Sequence, residues 1–295
     1  MALALFYFSL AIILASGLAA PVGYKAPYSS MIVFGDSLSD NGLTYEVTNH
    51  TWPKDPAYYK GRFSNGPTWA EDVAATLDVP LYDYARGGAT TDNALVQGFT
   101  GSKSDIAVPS LTDQVHDFLS KPRPDLSTSL VVLLGGANDV YFNNTANPAA
   151  AAAAIGRLLI QLRDAGATHF LLPEYPDLSL APYGSSLDDQ HKAMLSTYTK
   201  QLGADLQRVA RNVSSASPGV TIKVVDLQPL FRTIESNSRA LGFDRKGLRQ
   251  ACLVGAYGEA SRSLCSDPDR YVYFDAYHPT GKTHCLIANE VVDAL

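Results

Sequence analysis

Met31–Gly42 reads Met-Ile-Val-Phe-Gly-Asp-Ser-Leu-Ser-Asp-Asn-Gly and opens with a short apolar run that has β-branched residues at its centre. A run of this kind, Met31–Phe34, that stops at a glycine is typical of a buried strand in a parallel sheet. The hydroxyl of Ser37 lies just past the predicted end of this strand, and ligands bind at that edge of open α/β sheets. A simple turn would also explain Gly35-Asp36-Ser37, so a functional interpretation of Ser37 depends on the rest of the chain.

Strand patterns alternate with helix patterns beyond this point. Further strands are predicted at Leu81–Ala85, Leu130–Leu134, His169–Leu172 and Thr221–Asp226, with a short extended run at 271–274. Helices are predicted at Thr68–Leu77, Leu111–Leu119, Pro148–Asp164, from a cap at Ser186 to Val213, and from Pro279 to Ala294. This alternation predicts a parallel sheet between helices. No repeat or linker divides residues 20–295, which we interpret as one domain.

The overall composition is that of a globular protein. The chain has 295 residues, of which 46% are apolar and 18% are charged, and its net charge is −6. Without a basic run longer than a dipeptide, this charge argues against a nucleic-acid or anionic-membrane partner. The sequence has no Cys-x-x-Cys or His-Glu-x-x-His pattern, so we expect no metal and no cofactor.

The first nineteen residues predict a secretory signal peptide. Leu3–Leu14 is nearly all apolar, and Gly17-Leu18-Ala19 is a small-x-small cleavage pattern, which places the cut after Ala19. The segment has no Lys or Arg before its apolar run, and a membrane anchor is the alternative. The apolar segment barely reaches the roughly 18–20 residues that a membrane span needs, and Pro21 ends it abruptly.

Two further features agree with secretion to the cell exterior. Three triplets fit the N-glycosylation sequon, at Asn49, Asn143 and Asn212. An oxidising compartment favours one disulfide among the three cysteines, and we expect it between Cys252 and Cys265, which would close a loop rich in Gly and Ser. Cys285 falls in a predicted helix and is expected to be a buried thiol. The odd number of cysteines leaves the pairing open.

A histidine that could activate Ser37 stands near the other end of the chain. Of the six histidines, His278 is the one with a carboxylate, Asp275, three residues before it and a proline directly after it. A serine hydroxyl is a poor nucleophile unless a base takes its proton. Asp275 could hold one ring nitrogen of His278 while the other faces Ser37, as in a catalytic triad.

Two turns after predicted strands could supply donors to an oxyanion. Acyl transfer passes through an anionic tetrahedral intermediate, which needs preorganised hydrogen-bond donors. The backbone N–H of Gly88, where no side chain blocks approach, and the side-chain amide of Asn138 could supply two of them. The N–H of Ser37 would be the third, and Gly87 is the alternative to Gly88.

These motifs resemble those of the SGNH hydrolase superfamily, also called GDSL esterases and lipases, in the same order along nearly the whole chain. The four blocks are Gly35–Asp40, Arg86–Thr90, Gly136–Asp139 and Asp275–Thr280. The resemblance implies a flavodoxin-like, three-layer α/β/α sandwich with five parallel strands. It also implies Ser37, Asp275 and His278 as catalytic residues and Ser37, Gly88 and Asn138 as the oxyanion hole. Tyr277, between the acid and the base, departs from the family pattern.

Gly61–Gly66 and the Asp-x-x-His-Pro-Thr block look most like fungal secreted acetylesterases of carbohydrate esterase family 16. This resemblance implies a secreted serine ester hydrolase that removes acetyl groups from plant cell-wall carbohydrates or oligosaccharides. We expect the protein to be a monomer. The alternatives are a lipase or phospholipase acting on longer acyl esters, and a catalytically silent carbohydrate-binding protein on the same fold.

Several other residues are expected to be structural. Asp36 and Asp139 are interpreted as local backbone partners, and His169 and His284 as packing residues. Four aromatic residues between the first and second strands could line a sugar or acyl site, but their spacing is more typical of core positions: Tyr58, Tyr59, Phe63 and Trp69.

Overall fold

The computed structural model describes residues 27–53, 57–255 and 262–295, so the predicted signal peptide lies outside the described residues. At its centre is a parallel sheet of five strands: β1 (Ser30–Phe34), β2 (Leu81–Asp83), β3 (Ser129–Leu133), β4 (His169–Glu174) and β5 (Thr221–Asp226). The strands lie in the order β2-β1-β3-β4-β5. Every residue of β1 and β3 is buried, as their unbroken apolar character predicts.

The helices form two groups that flank the sheet, with α2 packed against α9 and α5 packed against α3 and α7. Their bounds are α1 (Leu43–Val47), α2 (Trp69–Leu77), α3 (Leu111–Leu119), α4 (Ala137–Phe142), α5 (Pro148–Asp164), α6 (Pro182–Ser186), α7 (Asp189–Ser215), α8 (Gln228–Ser236) and α9 (Gly281–Ala294). The α/β/α class expected from the sequence is confirmed. Within the described ranges, no helix combines the length and the apolar character that crossing a bilayer requires.

Short elements occupy the loops. Two antiparallel ribbons pair Phe99–Thr100 with Ile106–Ala107 and Leu253–Val254 with Ser263–Leu264. Single turns of 3-10 helix lie at Leu126–Thr128, Leu178–Leu180, Lys246–Leu248 and Pro268–Arg270. The first ribbon and α1 lie in stretches for which neither a strand nor a helix is predicted from the sequence.

One prediction about an element was wrong. The long helix α7 is capped by Asp188, whose carboxylate accepts the N–H of His191, while Ser186 ends the separate helix α6. The extended run at 271–274, which is not among the five predicted strands, lies outside the sheet. Tyr273 instead makes isolated bridges with Ala251 and Pro279.

The prediction of a buried thiol at Cys285 was also wrong. Cys285 is exposed on α9, whose buried face is formed by Thr283, His284, Ile287, Ala288 and Val291. The neighbouring position Cys285 therefore turns away from the core, because successive helical residues are about 100° apart around the axis.

The sheet order positions the candidate site. From β1 the chain continues to β2 on one side of that strand and then crosses to β3 on the other side. The strand order therefore reverses between β1 and β3, which makes their carboxyl ends a topological switch point. Ser37 follows β1, and Asn138 follows β3. The fold thus brings the first and third sequence motifs to one edge.

Candidate active site

Ser37, His278 and Asp275 form a hydrogen-bonded chain. His278 Nε2 lies 2.8 Å from Ser37 Oγ, and His278 Nδ1 lies 2.8 Å from each carboxylate oxygen of Asp275. Asp275 is fully buried and His278 nearly so, whereas Ser37 is partly exposed. An imidazole placed between a hydroxyl and a carboxylate in this way can accept the proton of the hydroxyl while the carboxylate fixes its orientation.

The surroundings of Asp275 keep it ionised. Burial by itself raises the pKa of a carboxyl group, but the positive charge and hydrogen bond of His278 oppose it, together with the Tyr277 N–H and the Tyr58 hydroxyl. The net result is a pKa of Asp275 below its ordinary value. The Tyr58 hydroxyl donates to Oδ2 at 2.8 Å, and the backbone N–H groups of Tyr277 and His278 donate to Oδ1 at 2.8 and 2.9 Å.

A side chain from α3 holds the turn that carries Ser37. The amide of Gln114 accepts the N–H of Gly35 and donates to its carbonyl oxygen, both at 2.9 Å. Gln114 is buried and lies 79 residues from Gly35 in sequence. No local pattern marks Gln114, so the sequence analysis did not identify this contact.

Asp36 makes the local backbone contact that was expected and one contact that was not. Its carboxylate accepts the N–H of Leu38 at 3.0 Å and the hydroxyl of Tyr175 at 2.6 Å. Burial raises the pKa of Asp36 to about 6, against the opposing effect of these two donors and of His278. Asp139, the second carboxylate beside a motif residue, accepts the N–H and the hydroxyl of Thr91.

The two glycines of the second motif differ in the state of their N–H groups. The N–H of Gly87 is buried and donates to Asp40 at 2.8 Å and to the Thr44 hydroxyl at 2.7 Å. Gly88 is partly exposed, has a φ of +90°, and has no acceptor for its N–H among the described residues. A Cβ at Gly88 would lie 1.9 Å from the Phe99 carbonyl oxygen. The available donor is therefore that of Gly88.

Asn138 is held beside the same turn. It lies in the first turn of α4, and its Nδ2 donates one hydrogen to the carbonyl oxygen of Ala89 at 2.9 Å. The second hydrogen of this amide remains for another acceptor. Ser37, Gly88 and Asn138 line one cavity of about 340 Å³ together with His278.

Nearly half of the other residues that line the cavity are aromatic. The ring of Phe63 packs 5.0 Å from that of His278, and Tyr277 packs 5.3 Å from Tyr141. The aromatic lining consists of Trp52, Phe63, Phe99, Tyr141, Phe142, Tyr175 and Tyr277. Of the four aromatic residues singled out in the sequence, Phe63 contributes to the lining, while Tyr58 and Trp69 are buried elsewhere.

The remaining candidates lie away from this cavity. His284 is buried behind it and accepts the Trp69 N–H on Nδ1 at 3.2 Å. Burial and the charge of His278 lower the pKa of His284 to about 3. Cys252 and Cys265 form a disulfide. The three sequon asparagines are all exposed: Asn49, Asn143 and Asn212.

In the parts of the chain that the structure describes, no group of three His, Cys, Asp or Glu side chains converges as a metal ion would require.

The chain is similar over most of its length to three bacterial proteins. It is 27% identical over 282 residues to the thermolabile hemolysin of Vibrio parahaemolyticus, a match that covers 90% of this chain and 63% of the hemolysin. It is 30% identical over 257 residues to the phosphatidylcholine-sterol acyltransferase of Aeromonas hydrophila, covering 82% of this chain and 72% of that protein. It is 28% identical to the secreted effector protein SseJ of Salmonella typhimurium and spans 61% of its length.

Solved structures share the fold. Phospholipase A1 from Streptomyces albidoflavus matches with a TM-score of 0.50 at 14% identity, over 91% of this chain and all of that chain. A lipolytic G-D-S-L family protein from Veillonella parvula matches with a TM-score of 0.50 at 13% identity, over 90% of this chain and 97% of that chain. The profile of the family described as GDSL-like Lipase/Acylhydrolase matches residues 31–291. This chain belongs to the GDSL-like lipase/acylhydrolase family.

Proposed function

We propose that this protein is a secreted serine carboxylic-ester hydrolase in which Ser37, His278 and Asp275 act as the catalytic triad. The observation that carries the proposal is the 2.8 Å contact between Ser37 Oγ and His278 Nε2, across 241 residues of sequence. Family membership supports hydrolysis as the reaction class.

The reaction proceeds in two half-steps. Ser37 Oγ attacks the ester carbonyl while His278 takes its proton, and the oxyanion is bound by the N–H groups of Ser37 and Gly88 and by the Asn138 amide. His278 then protonates the leaving alcohol as its bond to the acyl carbon breaks. Water, deprotonated by His278, attacks the acyl-serine. The bond between the acyl carbon and Ser37 Oγ then breaks, His278 returns the proton to Ser37 Oγ, and the acid is released.

The proposed substrate is an acetylated carbohydrate, such as an acetyl oligosaccharide. This choice rests on the resemblance of Gly61–Gly66 and of the Asp275–Thr280 block to fungal acetylesterases of carbohydrate esterase family 16. A second candidate is a longer acyl ester of a lipid. It is favoured by the similarity to the Aeromonas phosphatidylcholine-sterol acyltransferase and the Streptomyces phospholipase A1. The aromatic lining of the cavity also favours it.

Replacement of the nucleophile tests the triad. Ser37→Ala should lower turnover of p-nitrophenyl acetate by several orders of magnitude, as loss of a triad serine does elsewhere. The wild type should also be labelled at Ser37 by a fluorophosphonate. Retained turnover in the variant would refute the assignment, and absence of labelling with absence of turnover would favour a silent carbohydrate-binding protein.

A chain-length series distinguishes the two substrate classes. On p-nitrophenyl esters from acetate upward, a maximum of kcat/KM at acetate supports the acetylesterase, and release of acetate from acetylated oligosaccharides should then follow. A maximum at eight carbons or more supports the lipase.

Secretion and glycosylation belong to the same proposal. The Cys252–Cys265 disulfide and the exposure of Asn49, Asn143 and Asn212 support an oxidising, extracellular setting. Amino-terminal sequencing of the exported protein should begin at residue 20, and enzymatic removal of N-glycans should lower its mass. An intact residue 1–19 segment on the exported protein would contradict the proposed cleavage.

A further inference from the structure

Tyr58 lies beside the carboxylate of Asp275, although 217 residues separate the two in sequence. The ring is completely buried, and its hydroxyl donates to Oδ2 at 2.8 Å. Burial and the negative charge of Asp275 raise the pKa of Tyr58 far above its ordinary value. The phenol therefore remains a neutral donor throughout the working range of an enzyme.

Tyr58 belongs to a small apolar cluster that is separate from the main core. This group, which we call the disulfide cluster, consists of Tyr58, Cys252, Leu253, Tyr271 and Phe274. The ring of Tyr58 meets that of Phe274 edge to face at 5.3 Å. Phe274, which precedes Asp275, and Tyr58, which donates to Asp275, thus pack in the same cluster.

Backbone hydrogen bonds tie the disulfide-bonded segment to the chain that enters the site. The N–H of Leu253 donates to the carbonyl oxygen of Phe274 at 2.6 Å, and the N–H of Cys252 donates to that of Tyr273 at 3.2 Å. On the other side, the N–H of Phe274 donates to the carbonyl oxygen of His278 at 2.7 Å. These bonds therefore link the position of the disulfide cluster to the backbone on both sides of the Asp275–His278 pair.

We propose that Tyr58 is a positioning residue for Asp275, and that the Cys252–Cys265 disulfide keeps Tyr58 and the backbone before Asp275 in register. The proposal rests on the proposed function of Ser37, His278 and Asp275. Oδ2 of Asp275 is shared between His278 Nδ1 and the phenol, so the phenol restricts rotation of the carboxylate and neutralises part of its charge.

Tyr58→Phe tests the phenol because it deletes the hydroxyl and keeps the ring. We expect kcat for p-nitrophenyl acetate to fall about tenfold, the scale of one hydrogen bond to a charged group. Because the carboxylate then carries more uncompensated negative charge, the imidazolium is stabilised, and the acid limb of the kcat/KM profile should move to higher pH.

The other titratable and charged groups near Tyr58 and His278 are unchanged in Tyr58→Phe. They are Asp36, which faces His278, Arg262, which lies near Tyr58, and the buried His284. The matched control is Tyr59→Phe on the same loop, whose hydroxyl has no recorded partner among the described residues, and it should leave both the rate and the profile unchanged. Loss of rate in Tyr58→Phe without a pH shift would mean a merely structural role and would overturn the proposal.

A measurement that does not need turnover separates this proposal from the proposed function. The Nδ1–H proton of His278, hydrogen-bonded to Asp275, should resonate far downfield in the NMR spectrum of the full chain. We expect this resonance to shift in Tyr58→Phe and not in Tyr59→Phe. An unchanged resonance overturns the positioning role even if the wild type is an active esterase, and a shifted one supports it even if no ester tested is hydrolysed.

A double-mutant cycle tests the disulfide. The Cys252→Ala/Cys265→Ala variant should lower kcat and shift the same NMR resonance. Combined with Tyr58→Phe it should add less than a twofold further loss, because both changes act through one contact. Independent, multiplicative losses would show that the disulfide acts elsewhere and would remove it from the proposal.

Discussion

At Gly88, a single hydrogen is all that the turn accommodates in place of a side chain. The residue has a φ of +90°, and a Cβ would lie 1.9 Å from a backbone oxygen of Phe99, which has little freedom to move. Gly88 also lines the cavity, and its N–H has no acceptor among the described residues. The backbone conformation and the proposed role as oxyanion donor therefore both require glycine at position 88.

Gly88→Ala should destabilise the protein and impair catalysis together. We expect a loss of about 3 kcal/mol or more in the free energy of unfolding, and a kcat reduced by roughly 10²–10³ as the oxyanion donor is displaced. The control is Gly166→Ala, where φ is +109° but no atom lies within 4 Å. It should lose only about 1–2 kcal/mol and keep its kcat. Equal losses in urea unfolding would contradict the steric argument.

Asp36 makes the stability of the fold depend on pH. It is a buried carboxyl group whose pKa is about 6 in the folded protein against 3.8 ordinarily. As the pH rises from about 4 to 6, the unfolded chain loses this proton first, so ionisation of Asp36 lowers the free energy of unfolding. Asp36→Asn abolishes that dependence. Between pH 4 and pH 7, the variant should gain about 2–3 kcal/mol relative to the wild type in urea unfolding. A constant difference between the two would show that the pKa of Asp36 is not raised.

At the scale of elements, α3 does more than cover the sheet. Its N-terminus is capped by Ser110, whose hydroxyl accepts the Asp113 N–H while the Asp113 carboxylate accepts the Ser110 N–H. One turn along the helix, Gln114 reaches the end of β1 and satisfies both backbone groups of Gly35. The helix thereby holds the turn that carries Ser37.

Gln114→Ala should leave the buried N–H of Gly35 without a partner, whereas the Gly35 carbonyl oxygen keeps the N–H of Arg86 at 3.0 Å. We expect a loss of about 1–3 kcal/mol in the free energy of unfolding, together with a lower kcat as the Ser37 turn loosens. Gln161→Ala, an exposed position on α5, is the control and should change stability by less than about 0.5 kcal/mol. If the two variants unfolded at the same urea concentration, the hydrogen bonds between Gln114 and Gly35 would not contribute to stability.

Elements with strong periodicity were predicted well, and those held by distant contacts were not. The bounds of α3 and α5 agree with their sequence patterns because each helix carries its own N-cap. The bounds of β5 agree with a short run rich in β-branched residues. By contrast, α8 and α4 were missed. Helix α4 follows directly from Gly136, whose φ of +120° an L-residue rarely adopts, and that turn is stabilised by contacts from other parts of the chain.

At the scale of the whole molecule, the segment near residue 65 closes against the last helix. The N–H of Gly281 donates to the Asn65 side chain at 2.9 Å, and the Ser64 hydroxyl donates to the carbonyl oxygen of Pro279 at 2.8 Å. His284 completes this contact by accepting the Trp69 N–H at the start of α2. The front and the end of the chain are joined beside the site.

This closure should weaken in acid. The pKa of His284 is about 3 in the folded protein against 6.5 ordinarily, so the unfolded chain binds the proton first. The stabilisation is complete above about pH 6.5 and is lost as the pH falls toward 3. Between pH 7.5 and pH 5, the wild type should lose about 2 kcal/mol relative to His284→Gln in urea unfolding. The exposed His116→Gln variant should track the wild type, and a His284→Gln curve parallel to both would contradict a neutral buried imidazole.

Local chemistry in the chain was enough to predict the alternating α/β architecture and the motif residues Ser37, Gly88, Asn138, Asp275 and His278. Apolar runs specify buried strands, and a nucleophile, a base and an acid are recognisable by residue type and spacing. The distances among these residues, the availability of the Gly88 rather than the Gly87 N–H, and the roles of Gln114, Tyr58 and Tyr175 required the folded chain. Each of those contacts joins residues that are dozens to hundreds of positions apart, and no periodicity within one segment encodes which distant side chain will fill the space beside it.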